Sequence, residues 1–133
     1  MGEHTASINS PHLEDPVEWT KAQRRKRADQ LKSYGDDYGV TSMTWLEVMV
    51  GATNKVNQSQ CKTLLDQFDL LYPTADDQQW AMQQLEQFQF THRIGKEDCL
   101  IAAVTYRLQL PLYTHNLKDM TPMIGSLVVK PYP

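Results

Sequence analysis

Three acidic residues stand where chemistry could be done: Glu47, Asp98 and Asp119. Glu47 lies in the run Val40-Thr-Ser-Met-Thr-Trp-Leu-Glu-Val-Met-Val-Gly51, and Asp98 in Gly95-Lys-Glu-Asp-Cys-Leu-Ile-Ala-Ala103. Asp119 closes Leu112-Tyr-Thr-His-Asn-Leu-Lys-Asp119. Two of these segments begin with a predicted strand, and the third opens the most apolar predicted helix. In an open α/β sheet the carboxyl ends of the strands form the crevice where ligands bind. Carboxylates gathered there repel one another unless a cation neutralises them. Oxygen donors of this kind suit Mg²⁺ or Mn²⁺. Two such ions can activate a water and stabilise the leaving oxygen of a phosphodiester.

Each acid has a plainer reading. Thr44-x-x-Glu47 fits a capping box, in which Glu47 satisfies a backbone N–H at a helix start. A carboxylate in a first helical turn, such as Asp98, is stabilised by the helix dipole alone. Asp119 could cap a short helix through Thr121-Pro122, or form an Asx-turn. The shared placement of the three favours the metal reading. Asn116 adds a neutral oxygen or amide donor, and Thr114 stands at a strand end where it could touch a phosphate. Glu97 is beside Asp98 but about 100° round the helix, and reads as a solvated charge. His92 and His115 lack a ligand pattern. The chain has no phosphate-cradling glycine loop, no dinucleotide fingerprint and no Ser or Cys nucleophile motif.

The elements that must position these residues follow from spacing. A helix is expected from about Pro16, a residue welcome in a first turn, to Gly35. A strand follows over about 39–43, then a helix from Thr44 with Trp45, Leu46, Met49 and Val50 facing a core. Residues 58–68 read as a second amphipathic helix and 69–72 as a strand stopped by Pro73. Thr74 caps a helix running to about Phe88. Lys96 to Leu108 carries a clear apolar stripe of Leu100, Ile101, Val104 and Leu108. Strands are expected at 112–114 and 127–129. Strands separated by helices imply an α/β fold with a parallel sheet. Residues 1–15 are polar and read as an irregular N-terminal segment before a domain over 16–133.

The chain has 133 residues and a formal net charge of −3. That length suits one domain with a real core, and the charge gives no overall attraction for nucleic acid. A local patch, Arg24, Arg25, Lys26 and Arg27, could contact phosphate, although on a helix the four point all round the axis. The two cysteines, Cys61 and Cys99, fit no zinc or redox spacing, so a reducing cytoplasm is the natural setting. No apolar run suits a membrane span or a signal peptide.

The segments Thr41 to Ala52, Gly95 to Ala103 and Leu110 to Met120 resemble the PIN-domain ribonucleases, specifically the VapC-like toxin half of bacterial toxin–antitoxin pairs. The resemblance covers about residues 36–132. It implies a PIN-like fold, a parallel sheet flanked by helices. It also implies Mg²⁺- or Mn²⁺-dependent cleavage of RNA, a homodimer, and inhibition by a cognate antitoxin. Glu47 and Asp98 then become metal-site acids, Asp119 matches the acidic position after the fourth strand, and Asn116 the polar residue before it. The family opens with an apolar strand ending in a metal-binding Asp. Here that strand reads as missing or degenerate, its nearest echo being Glu3 to Asn9, with His4 at the Asp position. The expectation is therefore an endoribonuclease whose activity is impaired by loss of the first Asp. The alternative is a PIN-like module that binds RNA or protein without cutting.

Overall fold

The computed structural model describes residues 12–15 and 38–130. Five strands form one sheet: β1 (Leu13–Asp15), β2 (Tyr38–Thr41), β3 (Phe68–Leu71), β4 (Leu112–Thr114) and β5 (Val128–Val129). Their order is β3-β2-β1-β4-β5 and every pairing is parallel. The helices are α1 (Ser42–Val50), α2 (Lys55–Leu65), α3 (Ala75–His92), α4 (Lys96–Leu108) and α5 (Leu117–Ile124), with a 3₁₀ turn at Gly125–Leu127. The α/β architecture expected from spacing is the one found, and α4 and β4 fall on the expected residues.

One element departs from expectation in a way that matters. Residues 13–15 are not irregular: they form the central strand, paired with β2 on one side and β4 on the other. Nor does the sheet lack its first strand. A parallel strand buried on both faces normally reads as an apolar run. This one reads Leu-Glu-Asp, so its composition hid it. Leu13 supplies the apolar anchor and is fully buried. Glu14 is only 1 % exposed and is hydrogen-bonded to His12, whose ring lies between Tyr38 and Tyr113 at centroid distances of 4.2 and 4.1 Å. The predicted helix from Pro16, the basic run Arg24–Arg27 and the echo at His4 lie outside the described residues.

Strand alternation splits the core in two. Leu13, Leu71 and Leu112 face one side, where they pack with Ile101, Val104, Met120 and Ile124 of α4 and α5. Tyr38, Val40 and Phe68 face the other, against Val48 of α1 and Cys61 and Leu65 of α2. Phe68 therefore begins β3 rather than ending α2, because its ring completes this second core.

Gly39 sits where β2 passes between two leucines. A Cβ there would come within 2.7 Å of Leu13 Cδ2 and 2.8 Å of Leu71 Cδ1. Both leucines are buried and cannot swing into solvent. We expect Gly39→Ala to destabilise the fold by about 1–3 kcal/mol through overpacking. Urea unfolding would show a lower midpoint at unchanged slope, and Leu13→Val in the same chain should restore part of the loss.

The α3–α4 hairpin is fixed at its far end by charge. Thr74 and Asp77 form a reciprocal capping box, with bonds of 2.8 and 3.1 Å. Arg107, in the last turn of α4, donates from Nε to both Asp77 oxygens at 3.0 Å. Asp77 is thus satisfied from two directions, which is why it can be buried.

Candidate active site

All five strands run the same way, so their carboxyl ends share one edge, and the crevice of a parallel sheet opens there. Asp15 ends β1 and Thr114 ends β4, as partners in register. Thr114 donates its hydroxyl to Asp15 Oδ2 at 2.9 Å and accepts the Asn116 backbone N–H at 3.0 Å. Asn116 in turn donates from Nδ2 to Asp98 Oδ1 at 3.2 Å. A continuous chain of hydrogen bonds therefore runs from the central strand to the first turn of α4. It joins two carboxylates through a hydroxyl and an amide.

Local sequence explains each placement. Gly95 starts α4 without a side-chain cap, which leaves Glu97 and Asp98 to face the positive end of the helix. The Glu97 carboxyl is held below its ordinary pKa, first by a backbone N–H and then by Lys96, 3.1 Å away. It spends its charge locally, as expected of a solvated residue. Cys99 packs behind Asp98. Burial, with the Asp98 charge second, pushes its thiol up to about 11. It is a protonated core residue at neutral pH rather than a nucleophile.

The other expected acids are placed differently. Thr41, not Thr44, caps α1: its side chain accepts the Thr44 N–H at 3.2 Å, and the two hydroxyls are bonded at 3.1 Å. Thr44 is buried inside the helix, so the capping box with Glu47 does not form. Glu47 lies half-buried in the middle of α1. Asp119 lies in the first turn of α5, also half-buried; Asn116 takes the N-cap position, and the helix continues through Pro122. Both helices pack against α4, which carries Asp98. Among the described residues no three His, Cys, Asp or Glu side chains stand close enough to hold an ion by themselves.

Asp15 is the residue that the sequence reading missed. The available signal was an acid directly before Pro16, where a helix was expected to begin. With Asp98 and Asn116 it gives a donor set of hard oxygens. Mg²⁺ keeps much of its water and is commonly held by one or two protein carboxylates, so the chemistry of these donors suits such an ion. Among the described residues no helix is long and apolar enough to cross a membrane.

No family model matches the chain, and no curated protein matches it. Among solved structures it is similar to a chain of a toxin–antitoxin complex from Klebsiella pneumoniae, at 24 % identity and a TM-score of 0.70, over 91 % of this chain and 98 % of that one. The likeness extends over nearly the whole of both chains and is one of fold, an all-parallel five-stranded sheet flanked by helices.

Proposed function

We propose that this chain is a divalent-metal-dependent endoribonuclease of PIN type, the toxin of a toxin–antitoxin pair. The observation that carries the reading is the hydrogen-bonded run Asp15–Thr114–Asn116–Asp98 at the carboxyl edge of the two central strands. The fold likeness to a chain of a toxin–antitoxin complex supports the biological setting. In this reading Asp15, at the end of the central strand, takes the place of the acid that the sequence was expected to lack.

In this reading Asp15 and Asp98 hold Mg²⁺ or Mn²⁺, with Glu47 and Asp119 as outer acids that hold its waters. When bound, such an ion lowers the pKa of a water and offsets charge on a phosphodiester. The protein supplies position. Thr114 spends its only proton on Asp15, fixing the direction of that carboxylate. Asn116 fixes Asp98 through its amide N–H and is itself held by its backbone to Thr114. Removing such supporting bonds typically costs 10- to 100-fold in metal affinity or activity, an order-of-magnitude expectation. The substrate is RNA, the protein partner a cognate antitoxin, and the assembly a homodimer in the cytoplasm. The basic run Arg24–Arg27 is retained in the proposal as a phosphate contact.

The test is cleavage of a labelled RNA by the purified chain with Mn²⁺, with Mg²⁺ and with EDTA. Cleavage that EDTA abolishes is expected, with millimolar Mn²⁺ also raising the melting temperature, because an ion bound only by the folded state stabilises it. Cleavage unaffected by EDTA would overturn the metal chemistry. RNA binding without cleavage under any metal would favour the non-catalytic module instead.

A further inference from the structure

The carboxyl edge of this sheet is crowded with acid. Asp15 ends β1, Asp98 is linked to it through Thr114 and Asn116, Glu47 lies in the helix that follows β2, and Asp76 and Asp77 open α3. With a net charge of −3 as well, the described residues of this edge offer a polyanion little long-range attraction. Uncharged contacts would add binding energy beside any basic patch, and the edge offers an exposed aromatic side chain. Tyr72 directly follows β3 at that edge and is 65 % exposed.

Its mounting is rigid on both sides. Leu71 before it is buried in the core, and Pro73 after it restricts Tyr72 to an extended backbone. Two residues on, Thr74 is locked into the capping box with Asp77. Leu70, also exposed, lies next to it on the outer strand. The sheet order puts β3 two strands from β1, a lateral distance of about 10 Å. That separation is within reach of a nucleotide neighbouring the one at Asp15. The other exposed apolar side chains, such as Val50, Met82 and Phe90, lie within helices.

We propose that Tyr72 is a stacking platform for an unpaired base of the RNA. This rests on the ribonuclease reading above. A ring held on a fixed backbone loses little entropy when a base stacks on it, and stacking tolerates any base. Base–aromatic contacts of this kind are worth about 1–3 kcal/mol per base. A base in a duplex is already stacked and cannot use the platform.

The experiment measures affinity of a labelled single-stranded RNA by fluorescence anisotropy with the Asp98→Asn chain, so that the substrate survives. Tyr72→Ala added to that chain should weaken binding about tenfold or more, while Tyr72→Phe and Tyr72→Trp should retain it. Binding of duplex RNA should not respond. An abasic position moved along the strand should erase the difference between tyrosine and alanine at one place only. Equal affinity of Tyr72→Ala and its parent, or equal loss at every abasic position, would overturn the platform while leaving the ribonuclease reading intact. So would a change in oligomeric state on sedimentation without a change in RNA affinity, which would make Tyr72 a protein contact. If neither the parent nor the unsubstituted chain binds RNA at all, the ribonuclease reading fails and the platform falls with it.

Discussion

Asp15→Asn should abolish metal-dependent cleavage of RNA by this chain, with a loss of at least about a hundredfold, comparable to removal of one preorganised electrostatic group. The substitution keeps shape. An asparagine at this place can still accept the Thr114 hydroxyl through its side-chain oxygen, so the link between β1 and β4 survives. What disappears is the negative charge at the end of the central strand. Folding should not suffer. Two carboxylates joined by a short chain of hydrogen bonds disfavour each other without a cation, so the variant should melt at the same temperature or slightly higher in EDTA. The stabilisation by Mn²⁺ should vanish. Activity and metal-free stability would then move in opposite directions, which a merely structural Asp15 would not produce. Asp98→Asn should behave alike. Glu47→Gln and Asp119→Asn should each lose less, since neither belongs to the hydrogen-bonded run Asp15–Thr114–Asn116–Asp98. Equal losses at all four positions would show that the site closes around the ion into a tighter arrangement than the unliganded one. Full activity in Asp15→Asn would remove Asp15 from the site.

Much of this architecture was legible because it rests on patterns with long range. The apolar stripe of α4 repeats over three turns, and β4 is bracketed by Pro111 and the polar run from Thr114. Both could be placed from spacing alone. Asp98 and Asn116 could also be singled out, since each stands at a boundary between such elements. The central strand could not. It has three residues, too few to show a period of two, and two of them are acids. Its stability comes from groups far away in sequence: Tyr38 and Tyr113 around His12, and Thr114 on Asp15. Only tertiary contact makes Leu-Glu-Asp a buried strand, so local propensity points elsewhere. The error at α1 was similar in kind. Thr41 and Thr44 are both competent caps, and three residues separate them. The choice was made by β2, which ends at Thr41 and leaves Thr44 to be buried between helix and sheet.

That polar strand carries the second large effect. Glu14 is buried, and its partner His12 is enclosed by two tyrosine rings. Removing one member of a buried pair takes a close partner from the other in a place that little water reaches. Such losses run to about 3–5 kcal/mol, a large fraction of the stability of a small domain. We expect Glu14→Ala and His12→Ala each to lower the melting temperature by roughly 10–20 °C, at about 3–5 °C per kcal/mol for a chain of this size. The two losses should not add. Once either partner is gone their mutual bond is already lost, so the double variant should be more stable than the sum predicts by about 1–3 kcal/mol. His12→Ala carries an additional loss, because the rings of Tyr38 and Tyr113 would face a cavity. His12→Phe in the Glu14→Leu chain should therefore recover more stability than the double alanine variant, by restoring bulk between the rings without a charge to satisfy. A double-mutant cycle by urea unfolding reads the coupling directly. Strict additivity would mean that Glu14 is held by its other contacts and that the bond to His12 contributes nothing to the strand. Coupling of the expected size would show that β1, and with it the position of Asp15, depends on a polar clamp where a parallel sheet ordinarily uses apolar packing.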